Sequence, residues 1–367
     1  MRVAHVCNPA LDDGAPTLRA IRNQVMSGCA AAEVEHFVIQ PSTSAVRAGV
    51  RTVALPVAGR AGSSMVRYRG LLSALADAEL VRLHGDPGTA LALQVARISR
   101  RPGGPPLVIE VEHMAGHPSS FIWRLVARRV LAQADAVIVR HGHGLAQLRR
   151  LGFKGIGFIA GAGAVSPRAA AVLRSGPLTL ALAPVPLTVQ SGAIDVLEAV
   201  AVHPGTILLA APLAGHQRLA DRAAALDMID RLRFVPAADL LAEANVLVAV
   251  PHPRAGTRFP YDRMIEQAQS AGIPVICSDV DGLAEVTGAG GWIVPAYDTG
   301  AIFEVLRTGL GHELLAAAGS RAAAHVALRQ AESLDGPGMR RVMAAAQSRP
   351  GSARLRSGSG ANPAVQP

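Results

Sequence analysis

Between Arg258 and Val286 the chain reads RFPYDRMIEQAQSAGIPVICSDVDGLAEV. The run RMIEQAQSAG has the composition of a helix that stops at Gly272, with Pro274 as a breaker and PVICSD as a buried strand after it. Glu266 falls inside that helix. A carboxylate there can accept hydrogen bonds from two neighbouring hydroxyls, such as those of a ribose; the bland alternative is a solvated helix carboxylate, the commoner fate of a lone Glu. DGLAEV, with Gly282, Leu283 and Glu285, opens a loop and a second helix, and the N–H groups of such a start favour anions. Arg258 stands eight positions before Glu266 and can only donate.

Other chemistry is poorly supplied. His141 and His143 in RHGHG have an H-x-H spacing, but a loop with polar side chains is a better reading than a metal site. His84, His113 and His117 fall at expected strand ends or loops, where cleft residues would lie. There is no G-x-S-x-G elbow, and no G-x-x-x-x-G-K loop surrounds Lys154, the single lysine. DDGAP at 12–16 is too short for a dinucleotide-binding glycine fingerprint. No metal and no cofactor are expected.

The elements that must position these residues follow from the hydrophobic pattern. Short β-branched runs at 2–7, 35–39, 51–57, 79–85, 106–113, 135–140 and, more weakly, 155–160 alternate with longer Ala/Leu/Arg segments of helical period. The series restarts with runs at 178–184, 206–212, 231–236, 245–251, 273–279 and 291–295. Continuous apolar runs suit strands buried on both faces, and helices between them imply right-handed crossovers and parallel sheets. The expectation is α/β, with two tandem doubly wound parallel-sheet domains: 1–165, then 177–330 after a Gly/Ser/Pro-rich link at 166–176. A helix over 331–347 would pack back on the first domain, and 348–367 reads as a disordered tail. Ligands of such sheets bind beyond the carboxyl ends of the strands, and two domains face to face make a cleft.

A chain of 367 residues, half of them hydrophobic, suits two cores. No apolar run reaches a membrane span and the start lacks a signal peptide's apolar core, so a cytoplasmic protein is expected. Cys7, Cys29 and Cys277 read as reduced, buried thiols. The net charge of +9 comes almost wholly from arginine, which fits a GC-rich genome better than a ligand. Arginines cluster at 97, 100 and 101, at 124, 128 and 129, and at 149 and 150. A solvated helix face is one reading of each cluster, and peripheral contact with an anionic membrane is the other. With aromatics at 3% there are few stacking platforms, so nucleic acid is not an expected partner.

The order Glu266, Ala271-Gly272, Pro274-Val275, Ser278-Asp279, Gly282, Glu285-Val286 and then GGWIVPAYDTGAI at 290–302 resembles the donor-binding domain of family-4 retaining glycosyltransferases, Rossmann-like proteins of the GT-B architecture. The first half is a looser match, carried by the strand and loop MRVAHV…DDGAP and by AELVRLHG and VIEVEHM. The resemblance implies transfer of a sugar from a nucleotide-sugar, a substrate rather than a cofactor, to a sugar, lipid or small-molecule acceptor with retained configuration, in carbohydrate biosynthesis. It also implies that Glu266 holds the ribose, that Gly14 and Ala15 approach the diphosphate, and that Gly282 and Leu283 reach the phosphate by their backbone. His113 then lies at or next to a histidine near the transferred sugar.

The same comparison exposes two departures. Arg258 replaces the family's first Glu, and Pro186 and Ser191 stand where an Arg and a Lys would neutralise the leaving diphosphate. Loss of one such donor costs roughly 3 kcal/mol of transition-state stabilisation. Either Arg258 supplies the missing charge, making a divergent hexosyltransferase-like enzyme with His113 and Arg258 as catalytic residues, or the chain is an inactive binding or scaffold subunit. A sugar-phosphate epimerase of the same architecture fits less well.

Overall fold

The computed structural model describes residues 2–7, 35–41, 51–59, 65–111, 121–160, 176–253, 261–331 and 344. The first set of strands is β1 (Arg2–Cys7), β2 (Glu35–Pro41), β3 (Arg51–Leu55), the short antiparallel pair β4 (Val57–Ala58) and β5 (Arg67–Tyr68), β6 (Leu80–His84), β7 (Leu107–Val111), β8 (Ala136–Val139) and β9 (Ile156–Ile159). Its described helices are α1 (Leu71–Ala74), α2 (Ala90–Ser99), α3 (Phe121–Leu131) and α4 (Gly142–Arg150). Seven strands form one parallel sheet in the order β3-β2-β1-β6-β7-β8-β9.

The second set repeats the plan. Strands β10 (Thr179–Leu182), β11 (Ile207–Ala210), β12 (Leu232–Phe234), β13 (Val246–Ala249), β14 (Val275–Ser278) and β15 (Gly291–Val294) make a parallel sheet in the order β12-β11-β10-β13-β14-β15. Between and after them run α5 (Ala193–Ala201), α6 (His216–Ala225), α7 (Leu240–Glu243), α8 (Tyr261–Ser270), α9 (Leu283–Thr287), α10 (Thr299–Gly309) and α11 (His312–Ala331). Both sheets are doubly wound, as the hydrophobic runs predict, and each apolar run quoted above contains one strand.

Central strands such as LVRLH and VLVA are buried at every position, because helices cover both faces of a parallel sheet. Edge strands β3, β9 and β12 are half-exposed along their length. By compactness the described residues up to Arg140 and those of 145–160 form one unit; His141–Gly144 joins those after Gly161 in the other. Most of the expected linker, the 331–347 helix and the tail lies outside the described residues. Cys7 and Cys277 are free and buried, and burial pushes the Cys277 thiol up to about 11; Cys29 lies outside the described residues.

Side chains alternate across a strand, so each sheet face has its own core. In the first unit one face is apolar throughout. The other begins apolar at Val3, Leu80, Val108 and Ala136, then turns polar toward the carboxyl ends with His5, Arg82, His84 and Glu110. In the second unit both faces stay apolar, and polar groups gather beyond the strand ends.

Candidate functional site at the carboxyl edge of the second sheet

In the second sheet the strand order reverses between β10 and β13, the place where doubly wound sheets open a crevice for ligands. The segment from β10 to α5 is folded back on itself. Leu187 N donates to Ala214 O at 2.6 Å, and the buried Ser191 gives its hydroxyl to Thr188 O at 2.7 Å. Gly192 sits at φ 71 against the Val250 carbonyl, which a Cβ would strike. Pro186 and Ser191 therefore contribute no cation here, as their types require.

Across the reversal, Asp195 in the first turn of α5 is bonded through Oδ2 to Nε2 of His252, three residues past the end of β13. His252 is buried, and its backbone N–H donates to Gln190 O at 2.9 Å. Its ring meets Tyr297, in the segment after β15, with centroids 3.9 Å apart. Tyr297 is exposed and holds a positive φ of 65. Ser278 Oγ, at the end of β14, donates to Pro251 O at 2.7 Å.

A second cluster surrounds the residues named from the sequence. Glu266 on α8 is only 1% exposed, so it is not the solvated helix carboxylate of the bland reading. Arg329 of α11 lies 3.5 Å from its Oε1 and also donates to Val286 O at 3.3 Å. Gln269, one turn on from Glu266, donates to Thr287 O at 2.7 Å, tying α8 to the end of α9. Gly282 caps α9 at φ 86, beside the His141 ring, and Leu283 is buried. Glu285 accepts from Gly142 N through both carboxylate oxygens, at 2.9 and 2.7 Å, so its charge sits at the start of α4. His141 Nδ1 accepts from Gly144 N at 3.0 Å. Burial holds His141 below the ordinary histidine range, against Asp262 and Glu285, which raise it; His143 and Arg329 add to the lowering. Among the described residues no group of three ligand-type side chains could hold a metal ion.

Gly14, Ala15, His113 and Arg258 lie outside the described residues. The structure thus brings together Glu266, Gly282, Leu283 and Glu285, and adds Asp195, His252, Tyr297, Asp262 and Arg329. These additions come from five separate elements, and only His252, a polar residue at the end of an apolar run, left a readable signal.

The first unit carries polar groups of its own. His84, at the end of β6, is 1% exposed and faces the sheet rather than open space. His36 Nδ1 is 2.9 Å from His5 Nε2, and His5 Nδ1 is 3.0 Å from His84 Nε2. His84 Nδ1 lies 2.9 Å from Glu110, poorly aligned, and Arg82 binds the same carboxylate at 2.6 and 2.8 Å. Asp86, past β6, accepts the Trp123 indole N–H at 2.9 Å.

Residues 18–156 match the family described as a Glycosyl transferase 4-like domain. No curated protein sequence matches the chain. Solved structures share the fold across almost the whole length. Sucrose-phosphate synthase from Thermosynechococcus elongatus is 17% identical, with 94% of this chain and 100% of that one covered at a TM-score of 0.73. A glycosyltransferase from Rickettsia africae is 11% identical, covering 94% and 98% at 0.68. HepE from Anabaena, solved in complex with UDP-glucose, is 12% identical, covering 90% and 98% at 0.63. The sequence resemblance rests most heavily on 258–302, whereas the family match lies in the first half. The departures Pro186, Ser191 and Arg258 all belong to the half outside that match.

Proposed function

We propose that the chain is a glycosyltransferase that moves a sugar from a nucleotide-sugar to a sugar, lipid or small-molecule acceptor with retention at the anomeric carbon. The bond from that carbon to the diphosphate oxygen breaks, and a bond to an acceptor hydroxyl oxygen forms on the same face. The hydroxyl proton leaves with the nucleoside diphosphate. One observation carries the reading: the α8–β14–α9 run, with Glu266 and Gly282, stands at the carboxyl edge of a doubly wound sheet in a chain whose residues 18–156 match a glycosyltransferase domain. The UDP and UDP-glucose held by HepE support a nucleotide-sugar as donor. Positioning and charge stabilisation would carry the catalysis, with the backbone N–H of Gly282 on the phosphate, Leu283 buried beside it with its own N–H donated to Val280 O at 2.9 Å, Glu266 on the ribose, and Gly14, Ala15, His113 and Arg258 completing the site. In this reading the enzyme works in the cytoplasm or on the cytoplasmic face of a membrane.

The inactive-subunit reading is favoured by one feature, the Ser191 hydroxyl spent on Thr188 where a phosphate-binding cation is expected. Thermal melts with UDP-glucose, GDP-mannose and ADP-glucose separate the two. A rise of a few degrees with one donor, lost in Glu266→Ala, is the result expected of the enzyme. Silence toward all three would leave only the scaffold.

A further inference from the structure

The diphosphate of a nucleotide-sugar is an anion, and the β10–α5 segment offers it no cation. Pro186 has none, and Ser191 is closed into its own turn. What the structure places on either side of the strand reversal is the Asp195–His252 pair, one residue from the helix after β10 and the other from the segment after β13. This is the crevice position of a doubly wound sheet.

We infer that His252, oriented by Asp195 and covered by Tyr297, is the group that meets the donor's diphosphate and makes its binding depend on protonation. The inference rests on the nucleotide-sugar reading and deepens it.

The geometry fixes the roles of the two ring nitrogens. A carboxylate only accepts, so Nε2–H donates to Asp195. The backbone bond to Gln190 holds the residue in place. Among the described residues no group bonds Nδ1. In the neutral ring Nδ1 is a lone pair, which repels a phosphate oxygen, and the pair with Asp195 carries one negative charge. When the ring is protonated Nδ1–H becomes a donor and the pair becomes neutral. Protonation therefore removes a repulsion and adds a charge-assisted hydrogen bond at the same atom.

Among the described residues, the titratable groups in contact with the ring are Asp195 from α5 and Tyr297 from the segment after β15. Tyr297 is 58% exposed and lies against the face of the imidazole, whereas Nδ1 points out from the ring's edge. A purely structural tie between α5 and β13 would need the Nε2 bond alone, with no open second nitrogen.

The test is a binding titration of the full chain with UDP-glucose, GDP-mannose and ADP-glucose, from about pH 5 to about pH 8, where imidazole changes charge. Their phosphodiester groups keep their charge across that window, so a pH effect belongs to the protein. The Kd for the donor that binds is expected to tighten roughly tenfold toward acid, the effect of one charge-assisted hydrogen bond. His252→Gln, which can still donate to Asp195, should bind with a flat profile near the wild-type alkaline value. A His252→Gln profile that still follows the wild type, or a flat wild-type profile, overturns the inference while leaving the transferase reading standing. Failure of the wild type to bind any donor at any pH overturns that reading, and this inference with it.

Discussion

At the scale of single residues, the buried ionic group of the first unit sets a stability that depends on pH. Burial pushes the Glu110 carboxyl up, but Arg82 and then His84 outweigh it and hold it below the ordinary carboxylate range. Burial pushes His5 well below the usual 6.5, with His84, Arg82 and His36 adding and Glu110 opposing; burial and Arg82 also lower His36. Glu110, His5 and His36 each bind protons more readily unfolded than folded. Their stabilisation is complete above about pH 6.5, falls as the histidines charge, and falls further below about pH 4.5 as carboxyls protonate in the unfolded chain. Trp123 lies in this unit and Trp292 in the other, so a Trp292→Phe chain reports the first unit by fluorescence. Its denaturant midpoint should drop steadily on acidification from neutrality. Arg82→Leu should lower stability at pH 7 by about 3–5 kcal/mol, because Glu110 would lose its buried partner. A midpoint flat from pH 7 to 5, or an Arg82→Leu chain as stable as its parent, would contradict this.

At the scale of elements, α3 has the most unusual surface. Trp123, Ala127, Val130 and Leu131 face inward, while Phe121, Ile122 and Leu125 are 75%, 72% and 58% exposed. Arg128 and Arg129 share that outer face, and the helix carries no acid. Its predicted arginine cluster thus comes with an apolar stripe, the combination that docks on an anionic membrane surface. Co-sedimentation with vesicles containing phosphatidylglycerol should retain the chain at low salt and release it at high salt. Phe121→Ser with Ile122→Ser should cut retention severalfold, and equal binding to neutral vesicles would argue against an electrostatic dock. The exposed stripe could not be read from the sequence, because FIWRLVARRVL puts apolar residues on both faces and only the fold decides which of them are covered. Strands were far more legible. Runs such as VLVA and AVIV are apolar and buried at every position, and only a two-sided parallel sheet buries them so. Helix lengths were less so: DGLAEV yields a five-residue α9, since Gly288 ends it at once.

At the scale of the whole molecule, two doubly wound units repeat one plan, yet similarity is spread unevenly between them. The fold was legible because each strand of the two parallel sheets announces itself locally, whereas the short β4–β5 pair left no run of its own to read. The site was legible only where several groups lie close in sequence, as along 266–285. Asp195, His252 and Tyr297 come from distant stretches, as do Glu266 and Arg329, and each set meets only once the second unit is assembled, so spacing could not reveal them. The Glu266–Arg329 contact and the Asp195–His252 pair show that this unit spends its charges in pairs beyond the strand ends. The central claim is that a nucleotide diphosphate lies over that edge. A crystal structure of the chain grown with UDP tests it most directly. The ribose hydroxyls are expected on the Glu266 carboxylate and a phosphate oxygen within hydrogen-bond reach of the Gly282 N–H. A nucleotide seated elsewhere, with Glu266 still closed against Arg329 and no ligand beside it, would contradict the account.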